Sequence, residues 1–301
     1  MEQLRAELSI VLGESISRLE RVSEQPYAHM YSLYDRQGNA IPLMAKSFIC
    51  QGIAQQEAYK LSMLARDGDI RLPTVYGVVC THQAPYKEIL LIERLRGVSA
   101  EAPTRSPDRW NMLMEQIVDG VLAWHRIDSH GSVGSVGSVD STQENDWFCW
   151  YQQRVEVLWA TVVNLTTPQL TMADRRLLYR TREALTHFFV GFDDPCVLVH
   201  GNLSLRSMLK DPKSDQLLAM LNPGVVLWAP REYDLFRLCE AGMPSQLLFS
   251  YLRRAPVADA FLARRWLYVV WEAVGRLIHT GKLERRPFDY ASQQLLPWLA
   301  G

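Results

Sequence analysis

Residues Val197–Leu209 read VLVHGNLSLRSML, a short apolar run followed at once by polar residues. The apolar run has strand length, so we predict a strand at Val197–His200. Further along, Ala219–Leu238 reads AMLNPGVVLWAPREYDLFRL, and a second short strand is predicted at Leu217–Leu221. We expect hairpin-like turns around these strands. The sequence therefore predicts a small strand insert that carries polar residues.

Most of the chain around this insert has helical periodicity. Trp110, Leu113, Ile117, Val121 and Trp124 recur on one helical face. The predicted helices span 107–125, 146–163, 171–190 and, with breaks near Pro244, Pro256 and Gly281, the chain after Glu232. Between the first two, the triplet GSV occurs three times within 131–139, which predicts a mobile loop.

The first part of the chain mixes strands with helices. Helices are predicted at 2–12 and 55–65, and strands at 31–34, 42–48, 72–79 and 88–93, with a turn at 35–39. The pattern changes after Gly97. We therefore predict an α+β protein with one domain at 1–95 and a second, mainly helical domain at 96–301.

Charge and cysteine content exclude several classes. Lys+Arg is 32 and Asp+Glu is 33 in 301 residues, so no global basic excess exists to hold a nucleic acid. The five cysteines are scattered without a CxxC pair, which favours neither a zinc site nor a disulfide framework. No apolar signal core begins the chain, and no run reaches the roughly 18 apolar residues of a membrane span. We expect a cytoplasmic protein.

The two quoted segments resemble a known superfamily. Val197–Leu209 is similar to the HGDxxxxNxL catalytic loop of the aminoglycoside phosphotransferase and choline/fructosamine kinase superfamily. Ala219–Leu238 resembles its metal-binding strand and the following helix. Four more stretches agree in order and spacing: LPTVYGV at 72–78, LLIERLRGVS at 90–99, LAWHRID at 122–128 and WFCWYQQRV at 147–155.

The resemblance covers roughly residues 30–290 and implies a protein-kinase-like bilobal fold in a divergent bacterial member. Residues 1–95 would form the small strand-rich lobe, and 96–301 the large helical lobe with a catalytic-loop-like segment at 197–238.

The resemblance implies an ATP site on the small lobe. Lys46 would contact the α- and β-phosphates, or be an ordinary edge lysine. Glu57 would pair with Lys46, or be a solvated glutamate. The backbone of the hinge, Glu93 to Leu95, would hydrogen-bond adenine. The phosphate-covering loop would lie at Glu24–Met30, which has no glycine, so backbone amides approach phosphates poorly there.

The chemical positions depart from the superfamily pattern. His200 matches a loop-organising histidine. Asn202 stands where the catalytic aspartate is expected, and a neutral amide can orient a hydroxyl but cannot take its proton. Ser207 and Asn222 stand where magnesium-binding asparagine and aspartate are expected. Because Mg²⁺ prefers carboxylate oxygens, a Mg²⁺ site at Ser207 and Asn222 is expected to be weak or absent.

The scaffold positions match the pattern. Asp234 corresponds to an aspartate that braces the catalytic loop, and Arg231 lies in the same motif. A preserved scaffold with uncharged chemical positions favours a pseudokinase. The alternative is an active enzyme that uses a displaced acid, namely Asp211, Asp215 or Glu232, although the spacing favours none of the three.

The C-terminal region is rich in bases. They are Arg253–Arg254, Arg264–Arg265, Arg276, Lys282 and Arg285–Arg286. This surplus argues against a polycationic aminoglycoside and favours an anionic ligand or a protein partner, unless these are solvated helix faces. Trp266, Tyr268 and Trp271 form either a ligand wall or, at helical spacing, part of the core.

Three functions therefore stay open. The first is a pseudokinase that binds nucleotide or a metabolite. The second is an active ATP-dependent phosphotransferase of a small hydroxylated metabolite. The third is a protein-interaction module that binds no nucleotide.

Overall fold

The computed structural model describes residues 2–25, 27–136, 146–240 and 242–299. The chain divides into two compact units. The first comprises Met1–Pro103 with Met208–Leu221, and the second comprises Thr104–Ser207 with Asn222–Gly301. The first is built on β-sheet and the second is mainly helical, which confirms the predicted α+β class.

The first unit is built on a five-stranded antiparallel sheet. Its strands are β1 (Arg18–Gln25), β2 (Ala28–Tyr34), β3 (Ala40–Phe48), β4 (Val75–Cys80) and β5 (Glu88–Glu93), in the order β1-β2-β3-β5-β4. Helices α1 (Glu2–Leu12) and α2 (Ile53–Asp67) belong to the same unit. The core gathers apolar side chains such as Leu8, Leu33, Ala45 and Ile89. Strand β1 was not predicted, because its sequence, RLERVSEQ, is mostly polar and exposed.

Helix α2 is fixed to strand β5 by a carboxylate at its first turn. The buried side chain of Glu88 accepts hydrogen bonds from the N–H of Gly52 at 2.7 Å and of Ala54 at 2.9 Å. These N–H groups have no partner within the helix, and a negative charge suits that end of it. The same contact sets the position of Glu57, one turn further along.

A second, three-stranded sheet completes this unit. It contains β6 (Val98–Ser99), β9 (Met208–Lys210) and β10 (Leu217–Met220), in the order β10-β9-β6. Buried Lys210 donates to Asp215 at 2.8 Å and to the Pro103 carbonyl at 3.0 Å. The compact units are therefore drawn differently from the predicted domains 1–95 and 96–301, because this pairing joins the segment after Ser207 to the strand-rich part.

The second unit is built from helices. They are α3 (Pro107–Trp124), α4 (Trp147–Asn164), α5 (Met172–Glu183), α6 (Leu185–Phe188), α7 (Glu232–Leu235), α8 (Ser245–Arg254), α9 (Phe261–Thr280) and α10 (Arg285–Leu295). Ser106 caps α3 by accepting from the N–H of Arg109, with Pro107 at the first turn. Trp266, Tyr268 and Trp271 are buried, so the core interpretation of these aromatics is confirmed. Within the described ranges, no helix is long and apolar enough to cross a membrane.

A small sheet in the second unit contains the start of the segment Val197–Leu209. It consists of β7 (Gly134–Ser135), β11 (Leu227–Pro230) and β8 (Cys196–Val199), in that order. Strand β8 pairs with β11 rather than forming a hairpin of its own. The mobile-loop prediction for the GSV repeat is wrong at Gly134–Ser135, which pairs with β11 and packs on the Trp150 indole. Residues 137–139 of the repeat lie outside the described residues.

Candidate functional site

Lys46 and Glu57 form a close ion pair in the first unit. The Lys46 Nζ lies 2.7 Å from each carboxylate oxygen of Glu57. Lys46 is 8% exposed, so the pair is shielded from much of the solvent screening that weakens surface pairs. Strand β3 and helix α2 thus bring together the two residues that the resemblance implies, and hold an ammonium group in a fixed position.

The predicted covering loop at 24–30 is mostly strand. Gln25 pairs with Ala28 across the β1–β2 connection, while Pro26 lies outside the described residues. The Tyr27 carbonyl accepts from the N–H of Ile49 at 3.0 Å. Burial and the negative charge of Glu57 raise the pKa of Tyr27, so its phenol lies within electrostatic reach of the ion pair. A phenol, rather than glycine backbone, therefore occupies this connection.

The predicted hinge follows strand β5. The Glu93 N–H donates to the Thr74 carbonyl at 2.8 Å, and the Arg94 N–H donates to the Pro42 carbonyl at 2.9 Å. Over the ranges that the structure describes, no protein group hydrogen-bonds the backbone of Leu95. Of the two predicted hinge residues, Leu95 therefore has the backbone groups open to a ligand.

In the second unit, Asp234 clamps the start of the catalytic-loop-like segment. Its Oδ2 and Oδ1 accept from the N–H groups of His200 and Gly201, each at 2.8 Å. Burial acts to raise the pKa of Asp234, but hydrogen bonding and charge interaction with His125 and His200 hold it below its usual range. An ionised carboxylate with these acceptor bonds fixes both backbone amides, as expected for a brace.

His125 is a functional residue that sequence reasoning missed. Its Nε2 lies 3.2 Å from Asp234 Oδ2, and its Nδ1 lies 2.7 Å from the Tyr251 hydroxyl. Because an ionised carboxylate only accepts, Nε2 carries the proton and donates. Its partners are 109 and 126 positions further along the chain, so only the LAWHRID match signalled this residue.

Buried His200 is neutral. Its ring stacks on Trp124, with centroids 5.2 Å apart and planes at 15°. Burial lowers the pKa of His200 to about 4, although the charge of Asp234 opposes the shift. Nδ1 accepts from the Asn202 N–H at 3.3 Å, while Nε2 has no partner in the described part of the chain. The contacts support a loop-organising role for His200.

Two glycines bring the loop into backbone contact with the segment after β10. Gly201 has φ +75°, and a Cβ there would lie 2.5 Å from the Val225 carbonyl oxygen. A Cβ on Gly224 would lie 2.6 Å from the Gly201 carbonyl oxygen. The Gly224 N–H also donates to the His200 carbonyl at 3.0 Å. Only glycine fits this approach, which places Asn202 beside Asn222.

The Asn202 amide is engaged with protein backbone. Its Nδ2 donates to the Asn222 carbonyl at 2.9 Å. Asn222 has φ +50°, a left-handed conformation that asparagine and aspartate tolerate better than most residues. Its own side chain is exposed. The positions of the expected catalytic and metal-binding aspartates are therefore adjacent, but an amide-to-carbonyl hydrogen bond joins them.

The donor set here does not fit a Mg²⁺ ion. The Ser207 hydroxyl is buried and donates to the backbone of its own loop, at 2.9 Å to the Ser204 carbonyl and 3.2 Å to that of Asn202. Asn202 and Asn222 contribute no charge. Among the described residues, no group of three His, Cys, Asp or Glu could hold a metal ion. Mg²⁺ favours carboxylates, so these three positions make a poor site.

The three displaced acids all have other partners. Glu232 is fully buried and binds Arg264 and Tyr268. Asp215 is paired with Lys210, and Asp211 accepts from the backbone of its own turn. Their local contacts give no support to the active-enzyme alternative.

The prediction that Arg264 is part of a basic ligand-binding surface is wrong. Arg264 is 1% exposed, and its guanidinium binds both Glu232 oxygens, at 2.7 and 2.9 Å. Arg254, Arg276 and Arg285 also pair with acids. Helix packing therefore accounts for Arg264, and the other three bases each have an acidic partner.

Arg231, predicted to be structural, starts α7. Its Nη2 donates to the Pro256 carbonyl at 3.2 Å, and its side chain also hydrogen-bonds Tyr251. It therefore ties α7 to α8 and to the segment that follows α8.

Comparisons with known proteins agree with this arrangement. The family model described as fructosamine kinase matches residues 49–282. The uncharacterized protein YcbJ of Escherichia coli K12 is 58% identical over 300 residues, with 100% of both chains covered. A Thermobifida fusca YX-ER1 structure, provisionally named a fructosamine-3-kinase, has a TM-score of 0.69 at 20% identity, covering 99% of each chain.

A thermostable mutant of aminoglycoside phosphotransferase APH(4)-Ia, in a ternary complex with ADP and hygromycin B, has a TM-score of 0.71 at 14% identity, covering 99% of each chain. These likenesses confirm the protein-kinase-like fold. The family-model match over residues 49–282 leads to one conclusion: the chain belongs to the fructosamine kinase family.

Proposed function

We propose that this protein is a pseudokinase of the fructosamine kinase family, which binds a nucleotide or a metabolite without efficient phosphoryl transfer. The observation that carries the proposal is the hydrogen bond from the Asn202 side chain to the Asn222 carbonyl. It joins the two positions where the chemistry would need carboxylates. Losing a positioned base typically lowers the rate by about 10²–10⁴-fold.

Nucleotide binding is supported by the first unit. The Lys46–Glu57 pair holds a cation in place, and the Leu95 backbone is open. A structural relative binds ADP together with hygromycin B. We infer that ATP binds here without requiring Mg²⁺, since Asn202, Ser207 and Asn222 offer no carboxylate.

Restoring both acids tests the proposal. The Asn202→Asp/Asn222→Asp variant, the wild type and a charge-matched control, Asn111→Asp/Gln152→Glu at exposed positions, are compared for Mg²⁺-dependent ATP turnover and calorimetric ATP binding. We expect the wild type and the control to bind ATP without turnover, and the revertant to gain turnover. A wild type that already consumes ATP as fast as the revertant contradicts the proposal.

The same assays separate the alternatives. An active phosphotransferase of a small hydroxylated metabolite shows Mg²⁺-dependent ATP consumption by the wild type. A protein-interaction module shows neither binding nor turnover, a result that would agree with the glycine-free β1–β2 connection. The contacts of Asp211, Asp215 and Glu232 make the first alternative the weaker one.

A polycationic acceptor is not favoured. Of the acids after residue 246, Glu272 is buried between Arg154 and Arg237. Burial acts to raise the pKa of Glu272, but the two arginines and the Tyr233 hydroxyl outweigh this effect and lower it to about 2. Asp289 is paired with Arg285. Few carboxylates therefore remain for an aminoglycoside. We also propose a cytoplasmic location, which the five free cysteines support.

A further inference from the structure

Three arginines from separate elements line one cavity in the second unit. The cavity has a volume of about 360 Å³ and contains Arg126 after α3, Arg231 at the start of α7 and Arg254 at the end of α8. Leu122, His125 and Tyr251 also line the cavity. Like charges gathered in one cavity disfavour one another unless an anion lies among them.

The acids nearby do not balance these charges. Glu115 and Asp119 pair with Arg254, and Glu115 also pairs with Arg253. Arg126 is exposed, and its guanidinium has no hydrogen bond or ion pair within the described ranges. Arg231 binds only the Pro256 carbonyl and Tyr251, which are uncharged. Two guanidinium groups facing the cavity therefore lack a carboxylate partner.

Two more acids act on the cavity without lining it: burial raises the pKa of Tyr251, and the charges of Asp234 and Asp194 raise it further. Asp234 lies behind His125 and is fully buried, and its oxygens are taken by His125 and by the backbone amides of His200 and Gly201. It cannot turn toward Arg126 or Arg231 without releasing the loop that it braces. Of the described residues, those that line the cavity carry three guanidinium groups and no carboxylate.

We propose that this cavity binds a small anion bearing a phosphate group. Guanidinium groups present paired N–H donors that match phosphate oxygens. The volume is at the lower end of ligand-pocket sizes, which suits inorganic phosphate or a phosphomonoester of a small metabolite. This site is formed by α3, α7 and α8 and does not depend on the proposed function.

Calorimetric titration tests the site with two probes, inorganic phosphate and glucose 6-phosphate, against sodium chloride and glucose at matched ionic strength. The test variant is Arg126→Gln, which breaks no side-chain hydrogen bond or ion pair within the described protein. One charge-assisted contact is worth about 1.5–3 kcal/mol, so we expect binding to weaken by roughly tenfold to a hundredfold. A phosphomonoester that binds more tightly than phosphate identifies a phosphorylated metabolite as the ligand; equal affinity identifies free phosphate.

Two control variants locate the binding. Arg253→Gln removes an exposed neighbouring charge that does not line the cavity, and Lys46→Gln removes the lysine of the first unit. Arg253→Gln should keep the wild-type affinity for phosphate within about twofold. Lys46→Gln removes a proposed phosphate contact of the nucleotide site, and the phosphate binding that Arg126→Gln weakens should remain in it. Absence of binding to the wild type, equal weakening by Arg253→Gln, or loss of binding in Lys46→Gln with retention in Arg126→Gln would overturn the proposal.

Discussion

Acidification should destabilise this protein through His200, before its carboxylates are protonated. The His200 ring is buried against Trp124, and burial lowers its pKa from 6.5 to about 4. Between about pH 6.5 and pH 4, the His200 imidazole therefore binds a proton in the unfolded chain but stays neutral in the folded protein. Stability is highest above about pH 6.5 and falls as the pH falls toward 4, because the unfolded state then gains protons first.

The two pKa values set the magnitude. Relative to pH 7.5, the loss attributable to His200 is about 2 kcal/mol at pH 5.0 and approaches about 3 kcal/mol below pH 4. Asp234 and Glu272 also have lowered pKa values, so their protonation adds destabilisation at the acid end. Comparison with a variant that lacks only the imidazole cancels these shared contributions.

Urea unfolding at pH 7.5 and 5.0 measures the effect in the wild type and in His200→Gln, whose side chain is neutral throughout. The wild type should lose about 2 kcal/mol more than the variant between the two pH values. His130→Gln, at an exposed histidine, should behave as the wild type does. If the wild type and His200→Gln lose the same stability, a neutral buried His200 is refuted.

Contacts within the second unit predict two effects of substitutions on stability and one effect of phosphate on hydrogen exchange. Gly201→Ala should lose more than the roughly 1–2 kcal/mol of a left-handed alanine, since the Cβ also meets backbone; urea unfolding measures this. Arg264→Met should cost about 3–5 kcal/mol by leaving Glu232 buried and unpaired, whereas exposed Arg286→Met should change thermal unfolding little. Saturating phosphate should slow hydrogen exchange in the peptide 197–209 of the wild type but not of Arg126→Gln.

The coupling in that last prediction follows a chain of hydrogen bonds. The Tyr251 hydroxyl lines the cavity and lies 2.7 Å from His125, whose opposite nitrogen lies 3.2 Å from Asp234. Asp234 then accepts from the amides of His200 and Gly201. An anion that holds Arg231 in place also restrains its partner Tyr251 and so reduces the opening of this loop. Unchanged exchange at saturation would show that the cavity and the loop are independent.

Local sequence patterns predicted the elements well. Apolar runs of strand length located strands β2, β3 and β5, and helical periodicity located helices α2 and α3. Strand β1 was missed because it is exposed and polar. The pairing of β8 with β11 was also missed, since strands of four residues carry no signal for their partner.

Matching residues to the superfamily motifs predicted some contacts of the candidate site and missed others. Lys46 and Glu57 were expected to pair and do so. His125 and Tyr251 were not singled out, because their role exists only through partners far along the chain. Arg264 was misjudged for the opposite reason: a base on a helix carries no local sign of the acid that buries it, here Glu232.

The hydrogen bond from Asn202 to the Asn222 carbonyl links the loop directly to the segment after β10. Asn202 Nδ2 donates to the Asn222 carbonyl at 2.9 Å, and an aspartate at 202 would set a carboxylate against that oxygen. Without a cation, Asn202→Asp should therefore lose about 0.5–1.5 kcal/mol of stability. The Asn202→Asp/Asn222→Asp variant should recover stability on adding Mg²⁺, because two carboxylates then meet a hard cation.

Urea unfolding in EDTA and in MgCl₂ measures both effects. Asn202→Ala is the matched control: it removes the same donor without adding charge, so its stability should not respond to Mg²⁺. If Asn202→Asp is as stable as the wild type in EDTA, the hydrogen bond from the Asn202 side chain to the Asn222 carbonyl does not stabilise this loop. Asn202 and Asn222 would then lack the acidic groups expected at these positions without stabilising the loop in return.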